Sequence, residues 1–161
     1  MIQTIDGLLS TIELNFLKKE CKSFKEELFQ IYSVENKKHL VNTSLSNYML
    51  KVNQYIKNID ADFFLDDMWI NKISENSNLN EKFHYDDCDF SIVTYINNEY
   101  DGGQLEWIDS DGKLQTIIPF ENLSILIPKK IYHRVTPVTK GNRYSLALFF
   151  KLKLKDRKKI L

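Results

Sequence analysis

The sequence predicts a mainly β, α+β fold in which N-terminal helices pack on a C-terminal β domain. After residue 60, seven short runs rich in β-branched and aromatic residues follow one another, separated by turn signals. Before residue 60, apolar residues recur at helical spacing instead. Many short, evenly spaced strands are typical of a sandwich or barrel, whose ligand site commonly lies in the mouth.

Turn residues bound each predicted strand. The turn Asp101-Gly102-Gly103 contains two residues that tolerate positive φ, so it predicts a tight hairpin reversal. The predicted strands are FFLDDMWINKIS (63–74), CDFSIVTYINN (88–98), QLEWID (104–109), KLQTIIP (113–119), NLSILIP (122–128), HRVTPV (133–138) and RYSLALFFK (143–151).

Two amphipathic helices are predicted before residue 60, after a short segment in 1–10 that fits an edge strand. The first helix starts at Ser10 and Glu13, which have the spacing of a capping box, and the second covers 42–59. Their apolar faces have members at steps of three and four: Leu17, Cys21, Phe24, Leu28 and Ile31, then Leu45, Met49, Val52 and Ile56.

Length and composition fit one domain over 1–161, with helical support in 1–60, a β core in 61–151 and a basic tail in 152–161. Basic and acidic residues number 22 each, which gives no electrostatic reason to expect nucleic-acid binding. We find no membrane-spanning run and no secretory signal, so we expect a cytoplasmic protein with reduced Cys21 and Cys88 and no membrane partner. No oligomeric state is predicted.

Two of the three histidines belong to one pattern. His84-Tyr85-Asp86 stands at the start of a predicted strand, where first and third residues share a face, and His133 begins a later strand. Two imidazoles and a carboxylate form the facial triad of non-haem Fe(II) oxygenases. An H-x-D pattern alone is weak, and His39, outside this pattern, is expected to be a surface or packing residue.

Arg143 and Ser145 share a face of the last predicted strand. A guanidinium pointing into a barrel would be a costly unpaired charge unless it holds a carboxylate, which it matches with two parallel hydrogen bonds. The Ser145 hydroxyl could bind the same anion. Considered without the rest of the sequence, Arg143 could instead face outward from the strand or form a buried ion pair.

The order of motifs resembles one family. The elements are H-x-D at 84–86, Tyr95-Ile96-Asn97, Gly102-Gly103-Gln104-Leu105, His133-Arg134-Val135-Thr136-Pro137-Val138 and Gly141-Asn142-Arg143-Tyr144-Ser145. In this order and spacing, over about 65–151, they are similar to the prolyl 4-hydroxylase-type Fe(II)/2-oxoglutarate-dependent dioxygenases.

The resemblance implies a double-stranded β-helix, a cupin-like jelly roll, with Fe(II) bound by His84, Asp86 and His133. It also implies that Arg143, Ser145 and Tyr95 bind the distal carboxylate of the cosubstrate 2-oxoglutarate. O2 would be the second cosubstrate, succinate and CO2 the products, and ascorbate a possible supporting reductant. The substrate would be a C–H bond, foremost that of a prolyl residue in a peptide or protein.

Other functions stay open at the level of the sequence. These are a jelly-roll module that binds a metal or ligand without turnover, a zinc hydrolase using the same ligands, and a hydroxylase of a free amino acid or small metabolite. Many relatives have a pocket tyrosine on the strand before H-x-D, where this chain has Trp69 or Asn71 as substitutes. Loop 74–82 could be a lid or a plain surface loop, and the acid-rich stretch 84–111 could favour a cationic substrate.

Overall fold

The computed structural model describes residues 1–33 and 43–153, which contain ten strands and two helices. The strands are β1 Gln3–Asp6, β2 Leu28–Ser33, β3 Phe63–Ser74, β4 Phe90–Tyr95, β5 Tyr100–Gly102, β6 Leu105–Ile108, β7 Leu114–Ile117, β8 Leu123–Pro128, β9 His133–Val135 and β10 Val138–Leu152. The helices are α1 Thr11–Cys21 and α2 Ser46–Ile59, with a 3-10 turn at Thr43–Leu45 before α2. His39 and residues 154–161 of the predicted basic tail lie outside the described residues.

Two antiparallel sheets form the β domain. The larger sheet has the strand order β1-β8-β4-β10-β3-β2, and β5 pairs with the start of β10. The smaller sheet has the order β7-β6-β9. One cavity is lined by side chains from both sheets, so the sheets enclose a space between them. This architecture confirms the predicted jelly roll.

The alternation of side chains along the central strand β10 gives the large sheet two different faces. Leu146 and Leu148 belong to the apolar core beneath the helices. Arg143 and Ser145 line the cavity on the other side. Because successive side chains of a strand point to opposite faces, one strand can serve the core and the site together.

The helices cover the apolar face of the large sheet and are joined by one buried carboxylate. Glu13 accepts hydrogen bonds from the backbone N–H of Ser10 at 2.9 Å and from that of Tyr48, in α2, at 2.7 Å. The Ser10 side chain in turn accepts from the backbone of Glu13, which confirms the predicted capping box. The Tyr48 hydroxyl lies 3.0 Å from Thr94 Oγ1 in β4, so the helical layer is fixed to the sheet.

Most predicted elements are present. Each of the seven runs predicted after residue 60 contains a strand, and β1 is an edge strand as expected. The run 133–138 is divided between β9 and the start of β10, and β5 was not predicted. The second helix is confirmed over Ser46–Ile59, after the 3-10 turn at Thr43–Leu45, with Val52 and Ile56 buried on its apolar face. Neither helix of the described ranges is long and apolar enough to cross a membrane, and the cytoplasmic location stays a prediction.

The first helix was predicted too long. It ends at Cys21, and Leu28 and Ile31 lie in β2, which pairs antiparallel with β3. The run LFQIYS is rich in residues that fit a pleated surface, and it completes the edge of the large sheet beside β3. The helical spacing of apolar residues therefore continued by coincidence past the end of α1 into β2. In the segment between them and the start of β2, the Phe24 and Phe29 rings stack with their centres 4.4 Å apart.

Two local predictions were also wrong. Gly102 and Gly103 have the expected positive φ, but β5 pairs with β10 while β6 pairs with β7 and β9, so the turn sends the chain from one sheet to the other and makes no hairpin. The H-x-D segment does not begin a strand. His84 makes one isolated bridge with His133, and Asp86 lies in the loop before β4.

Candidate active site

The sequence-predicted site residues meet in one cavity between the two sheets. From the large sheet it is lined by Tyr95, Arg143 and Ser145, and from the small sheet by His133, with His84 and Asp86 at its rim. Antiparallel register explains part of this convergence. Ser145 lies directly opposite Tyr95 on β4, so both side chains point to the same face of the sheet.

We call His84, Asp86 and His133 the metal end of the cavity. Asp86 Oδ1 lies 3.8 Å from His84 Nε2 and 3.7 Å from His133 Nε2. In the described part of the chain this is the group of three potential ligands whose donor atoms come together, all within 4.8 Å of one another. Donors about 2.0–2.2 Å from a single ion lie at most about 4.4 Å apart, so one ion can lie between the carboxylate and each imidazole.

Backbone carbonyls orient both imidazoles in the same way. His84 Nδ1 lies 2.8 Å from the carbonyl oxygen of Lys82, and His133 Nδ1 lies 2.9 Å from that of Ile131. A carbonyl can only accept, so each Nδ1–H donates and each Nε2 keeps its lone pair for a metal. In both cases the carbonyl belongs to the residue two positions earlier, which makes this a local property of the chain.

The metal end is graded in exposure. The His133 side chain is 6% exposed, that of Asp86 19% and that of His84 33%. Burial lowers the pKa of His133 below its ordinary value, against the opposing effect of the Asp86 carboxylate, and this favours the neutral imidazole that a metal requires. His84 therefore marks the open side of the site.

We call Tyr95, Arg143 and Ser145 the anion end. Arg143 is buried and its guanidinium carbon lies 4.6 Å from the centre of the Tyr95 ring. Among the ion pairs of the described residues none involves Arg143, so this residue is neither outward-facing nor paired with a carboxylate of the described chain. Its Nε and the Ser145 Oγ are buried without a hydrogen-bond partner.

These unpartnered atoms indicate a missing anion. Among the side chains that the structure describes, those of residues 1–32 and 44–153, only three buried polar atoms lack a partner, namely Tyr100 Oη, Arg143 Nε and Ser145 Oγ. Buried polar groups are nearly always satisfied, and leaving one without a partner costs about 1–3 kcal/mol. An anionic ligand that accepts from Arg143 and Ser145 would remove this cost.

The family follows from this chain's sequence and agrees with the geometry. Residues 68–151, just over half of the chain, match the family described as the 2OG-Fe(II) oxygenase superfamily. The chain belongs to the 2OG-Fe(II) oxygenase superfamily. Members of this superfamily are named for iron(II) and 2-oxoglutarate, and the metal end and anion end offer sites of the matching chemistry.

A related sequence and two similar solved structures are consistent with membership of this superfamily. A PKHD-type hydroxylase from Synechococcus sp. (strain JA-2-3B'a(2-13)) is 34% identical over 70 residues, which is 44% of this chain and 31% of the relative. The chain thus aligns with about a third of that relative's length. Among solved structures, viral collagen prolyl hydroxylase from Paramecium bursaria Chlorella virus-1 has a TM-score of 0.71 at 17% identity, covering 94% of this chain and 90% of that one. A Pseudomonas putida prolyl-4-hydroxylase has a TM-score of 0.72 at 17% identity, covering 93% and 92%. These structures share the fold of this superfamily member.

The structure decides between the two predicted substitutes on β3. Asn71 lines the cavity and lies opposite Ser145, whereas Trp69 is not among the residues that line it. Loop 74–82 contributes Asn80 to the cavity wall, and its backbone carbonyl accepts from Val135 N at 2.8 Å. The loop is thus joined to β9 in the structure, and a role as a lid stays a prediction.

Three acids of the acid-rich stretch make contacts within the fold. Asp89 pairs with Lys129 at 2.7 Å and Glu106 pairs with Arg134 at 2.8 Å. Asp109 accepts from the backbone N–H of Asp111 and of Lys113 in the turn between β6 and β7. A preference for cationic substrates stays a hypothesis, with fewer available acids than the sequence indicated.

Sequence reasoning missed two contributors to the site. Ser91 is fully buried at the start of β4, and its Oγ lies 2.8 Å from Asp86 Oδ2. Tyr100 lies close to Arg143, and burial raises the pKa of the Tyr100 hydroxyl to about 12, against the smaller, lowering effect of the positive charge of Arg143. Period-two alternation from Tyr95 puts Ser91 on the cavity face, so that contact had a signal in the sequence.

Proposed function

We propose that the chain is an Fe(II)- and 2-oxoglutarate-dependent dioxygenase that hydroxylates an unactivated C–H bond. His84, Asp86 and His133 are the proposed iron ligands, and Arg143, Ser145 and Tyr95 bind the distal carboxylate of 2-oxoglutarate. The observation that carries the proposal is the occurrence, in one cavity, of a converging two-histidine, one-carboxylate set and a buried guanidinium without an anionic partner.

The residues present fit iron(II) and 2-oxoglutarate. Two imidazoles and one carboxylate are the ligand set typical of non-haem iron(II) oxygenases, which leaves coordination positions open. The unsatisfied Arg143 Nε and Ser145 Oγ fit a carboxylate. Solved neighbours support this combination of metal and cosubstrate. The viral collagen prolyl hydroxylase has also been solved as a complex with 2-oxoglutarate, and HygX from Streptomyces hygroscopicus has been solved with iron bound.

Iron and 2-oxoglutarate, when bound, supply the O2-dependent oxidation that releases succinate and CO2 and adds oxygen to a C–H bond. The chain's own contribution is positional. The carbonyls of Lys82 and Ile131 hold the Nδ1–H groups, which directs both Nε2 atoms to one point. Arg143 and Ser145 fix the far end of the cosubstrate, so its reactive end is held at a defined distance from that point.

Apolar side chains from both sheets line the space between the two ends. The cavity wall includes Val93 and Ile127 of the large sheet and Leu105 and Val135 of the small sheet. Leu105 and Ile127 are almost fully buried. An apolar wall strengthens the attraction between the Arg143 guanidinium and a bound carboxylate and protects an oxidising site from side reactions.

For the substrate we propose a prolyl residue of a peptide or protein. Two solved neighbours are prolyl hydroxylases, which supports this choice by fold. A row of aromatic rings whose residues neighbour the metal ligands in the sequence also supports it. Tyr132 contacts Phe83 and Tyr85 with ring centres 5.2 and 4.9 Å apart, and Tyr85 is 59% exposed. Exposed aromatic rows bind proline-rich segments in their extended helical form.

The remaining parts of the proposal concern the whole chain. We propose that residues 1–161 act as one dioxygenase domain, in which the helices support the face of the large sheet behind the site. O2 is the second cosubstrate. Ascorbate is proposed as a reductant that sustains turnover in vitro.

The test is succinate formation by purified protein with Fe(II), 2-oxoglutarate and O2, with and without proline-containing peptides. The proposal expects O2-dependent succinate and a peptide mass increase of one oxygen atom. Metal and 2-oxoglutarate binding without any succinate would favour a non-catalytic module. Zn(II)-dependent turnover without O2 would favour a hydrolase, and succinate coupled only to free amino acids or metabolites would remove the peptide assignment.

The aromatic row has its own test. Tyr85→Ala and Tyr132→Ala should raise the KM for a peptide substrate while leaving the KM for 2-oxoglutarate unchanged. Tyr55→Ala, on α2 behind the large sheet, is the control and should change neither. Equal peptide KM values in all four proteins would remove the row from substrate binding.

A further inference from the structure

The carboxylate of Asp86 is held by one buried hydroxyl. Ser91 is fully buried, and its Oγ–H donates to Asp86 Oδ2 at 2.8 Å, because a carboxylate oxygen can only accept. The other oxygen, Oδ1, faces the Nε2 atoms of both histidines at 3.8 and 3.7 Å. The two oxygens therefore have different partners, one within the chain and one towards the metal end.

Ser91 is itself rigidly placed. It lies on β4 between two hydrogen-bonded neighbours, opposite Phe149 of β10 and Ile127 of β8. Asp86, by contrast, lies in the loop before β4, and within the described residues the Ser91 hydroxyl is the hydrogen-bond donor to its side chain. The sheet thus determines the orientation of a carboxylate that the loop alone would leave free to rotate.

This orientation matters for coordination. A carboxylate that turned both oxygens to the metal would take an additional coordination position, and the two-histidine, one-carboxylate set is useful because positions remain open. A hydrogen bond that holds Oδ2 towards Ser91 favours ligation through Oδ1 alone. Both histidines have an equivalent restraint, a backbone carbonyl on Nδ1, so Ser91 completes the set for the third ligand.

We propose that Ser91 is a positioning residue that holds Asp86 to ligation through one oxygen and so keeps the cosubstrate's coordination positions open. This inference rests on the proposed function, since it assumes that the metal end binds a divalent metal. It makes a prediction for metal binding in the absence of turnover, and a second one for the cosubstrate.

The experiment titrates anaerobic apoprotein with Mn(II) or Co(II) by calorimetry, and then the metal-loaded protein with 2-oxoglutarate. Ser91→Ala should weaken metal binding by about 10–100-fold, the usual effect of removing a group that orients a ligand. It should also weaken 2-oxoglutarate binding to the metal-loaded protein, and Ser91→Thr, which keeps the hydroxyl, should restore both. Ser124→Ala is the matched control, because Ser124 is an equally buried strand serine whose Oγ contacts Thr94, away from the metal end.

The outcomes separate the two proposals. Wild-type protein that binds neither metal would overturn the proposed function and this inference with it. Wild-type binding with equal affinities in Ser91→Ala would overturn the inference alone, as would an equal loss in Ser124→Ala. If Ser91→Ala does not fold, Ser91→Val, which has the shape of Ser91→Thr without the hydroxyl, replaces it, and metal affinity as tight as in Ser91→Thr would overturn the proposal.

Discussion

The metal end and the anion end of the cavity differ in how their polar atoms are satisfied. At the metal end, every atom that would not touch a metal has a partner in the chain: the Nδ1 atoms of both histidines and Asp86 Oδ2. At the anion end, Arg143 Nε and Ser145 Oγ have none. The first site is thus oriented before its ligand arrives, and the second retains hydrogen-bonding groups that only a ligand can satisfy.

The difference also follows from the supporting elements. The metal ligands come from a loop and a short strand, which need local hydrogen bonds to fix them. The anion end is built on β4 and β10 in the middle of the large sheet, where strand pairing on both sides fixes the backbone. Rigid strands can hold a buried charge in readiness, whereas a loop needs a restraint on each ligand.

The largest effect is expected at the metal end. Asp86→Ala and His133→Ala should abolish detectable iron binding and turnover, because two ligands do not form a stable site with open positions. Metal titration and succinate release measure this. Asp87→Ala, an exposed neighbour, should behave like wild type; equal losses in Asp86→Ala and Asp87→Ala would mean that the effect is not one of ligation.

Arg143→Ala should impair the anion end and leave the metal end intact. Removing one member of a buried charge pair costs about 2–5 kcal/mol, so the KM for 2-oxoglutarate should rise by about 30-fold or more. Metal affinity without cosubstrate should be unchanged, since the metal end has its own restraints. Arg143→Lys keeps the charge but not the planar guanidinium, so its KM for 2-oxoglutarate should lie between those of wild type and Arg143→Ala. A wild-type KM in Arg143→Ala would show that the cosubstrate binds elsewhere.

Motif residues were predictable because their chemistry is specific. Arg143 and Ser145 were placed on one strand face by period-two alternation, and the structure puts both in the cavity. The register of β10 with β4, which brings Tyr95 opposite Ser145, was not derivable from local pattern, and Tyr95 entered through the family resemblance. Long-range pairing depends on the whole sheet, which no local window contains.

The errors have the same origin. The helix predicted from the spacing of Leu17 to Ile31 was too long, because the segment beginning at Leu28 pairs with β3 at the edge of the large sheet. Local spacing contains no information about that pairing. Gly102 and Gly103 gave the correct backbone conformation but not the destination of the chain, since positive φ permits a hairpin and a crossing between sheets equally. Ser91 was missed because a serine in a strand has no motif until its partner, Asp86, is placed.

A smaller effect is expected where the anion end touches the Gly102-Gly103 turn. Gly103 has φ +65°, and a Cβ there would lie 2.8 Å from Arg143 Cδ, so Gly103→Ala must displace the guanidinium stem as well as strain the backbone. We expect the KM for 2-oxoglutarate to rise about tenfold, the equivalent of about 1.4 kcal/mol, with metal affinity unchanged. Gly112→Ala is the matched control, because Gly112 has φ +77° and open space around its position. An equal rise in KM in the two variants would show that backbone strain, and not contact with Arg143, causes the effect.

The smallest effect on either end is expected from Glu13, which lies in the helical layer behind the large sheet. Glu13→Gln should lower the free energy of unfolding by about 1–3 kcal/mol, because the buried carboxylate satisfies the backbone N–H groups of Ser10 and Tyr48. Burial raises the pKa of Glu13, but the hydrogen bonds from Ser10 and Tyr48 outweigh it and the net pKa lies below the ordinary 4.5. This stabilisation is therefore complete above about pH 4.5 and is lost as the pH falls through the folded-state pKa, so the variant and wild type should converge in acid. Urea unfolding at several pH values measures this, and unchanged KM and metal affinity at pH 7 would show that both ends are positioned by the sheets alone.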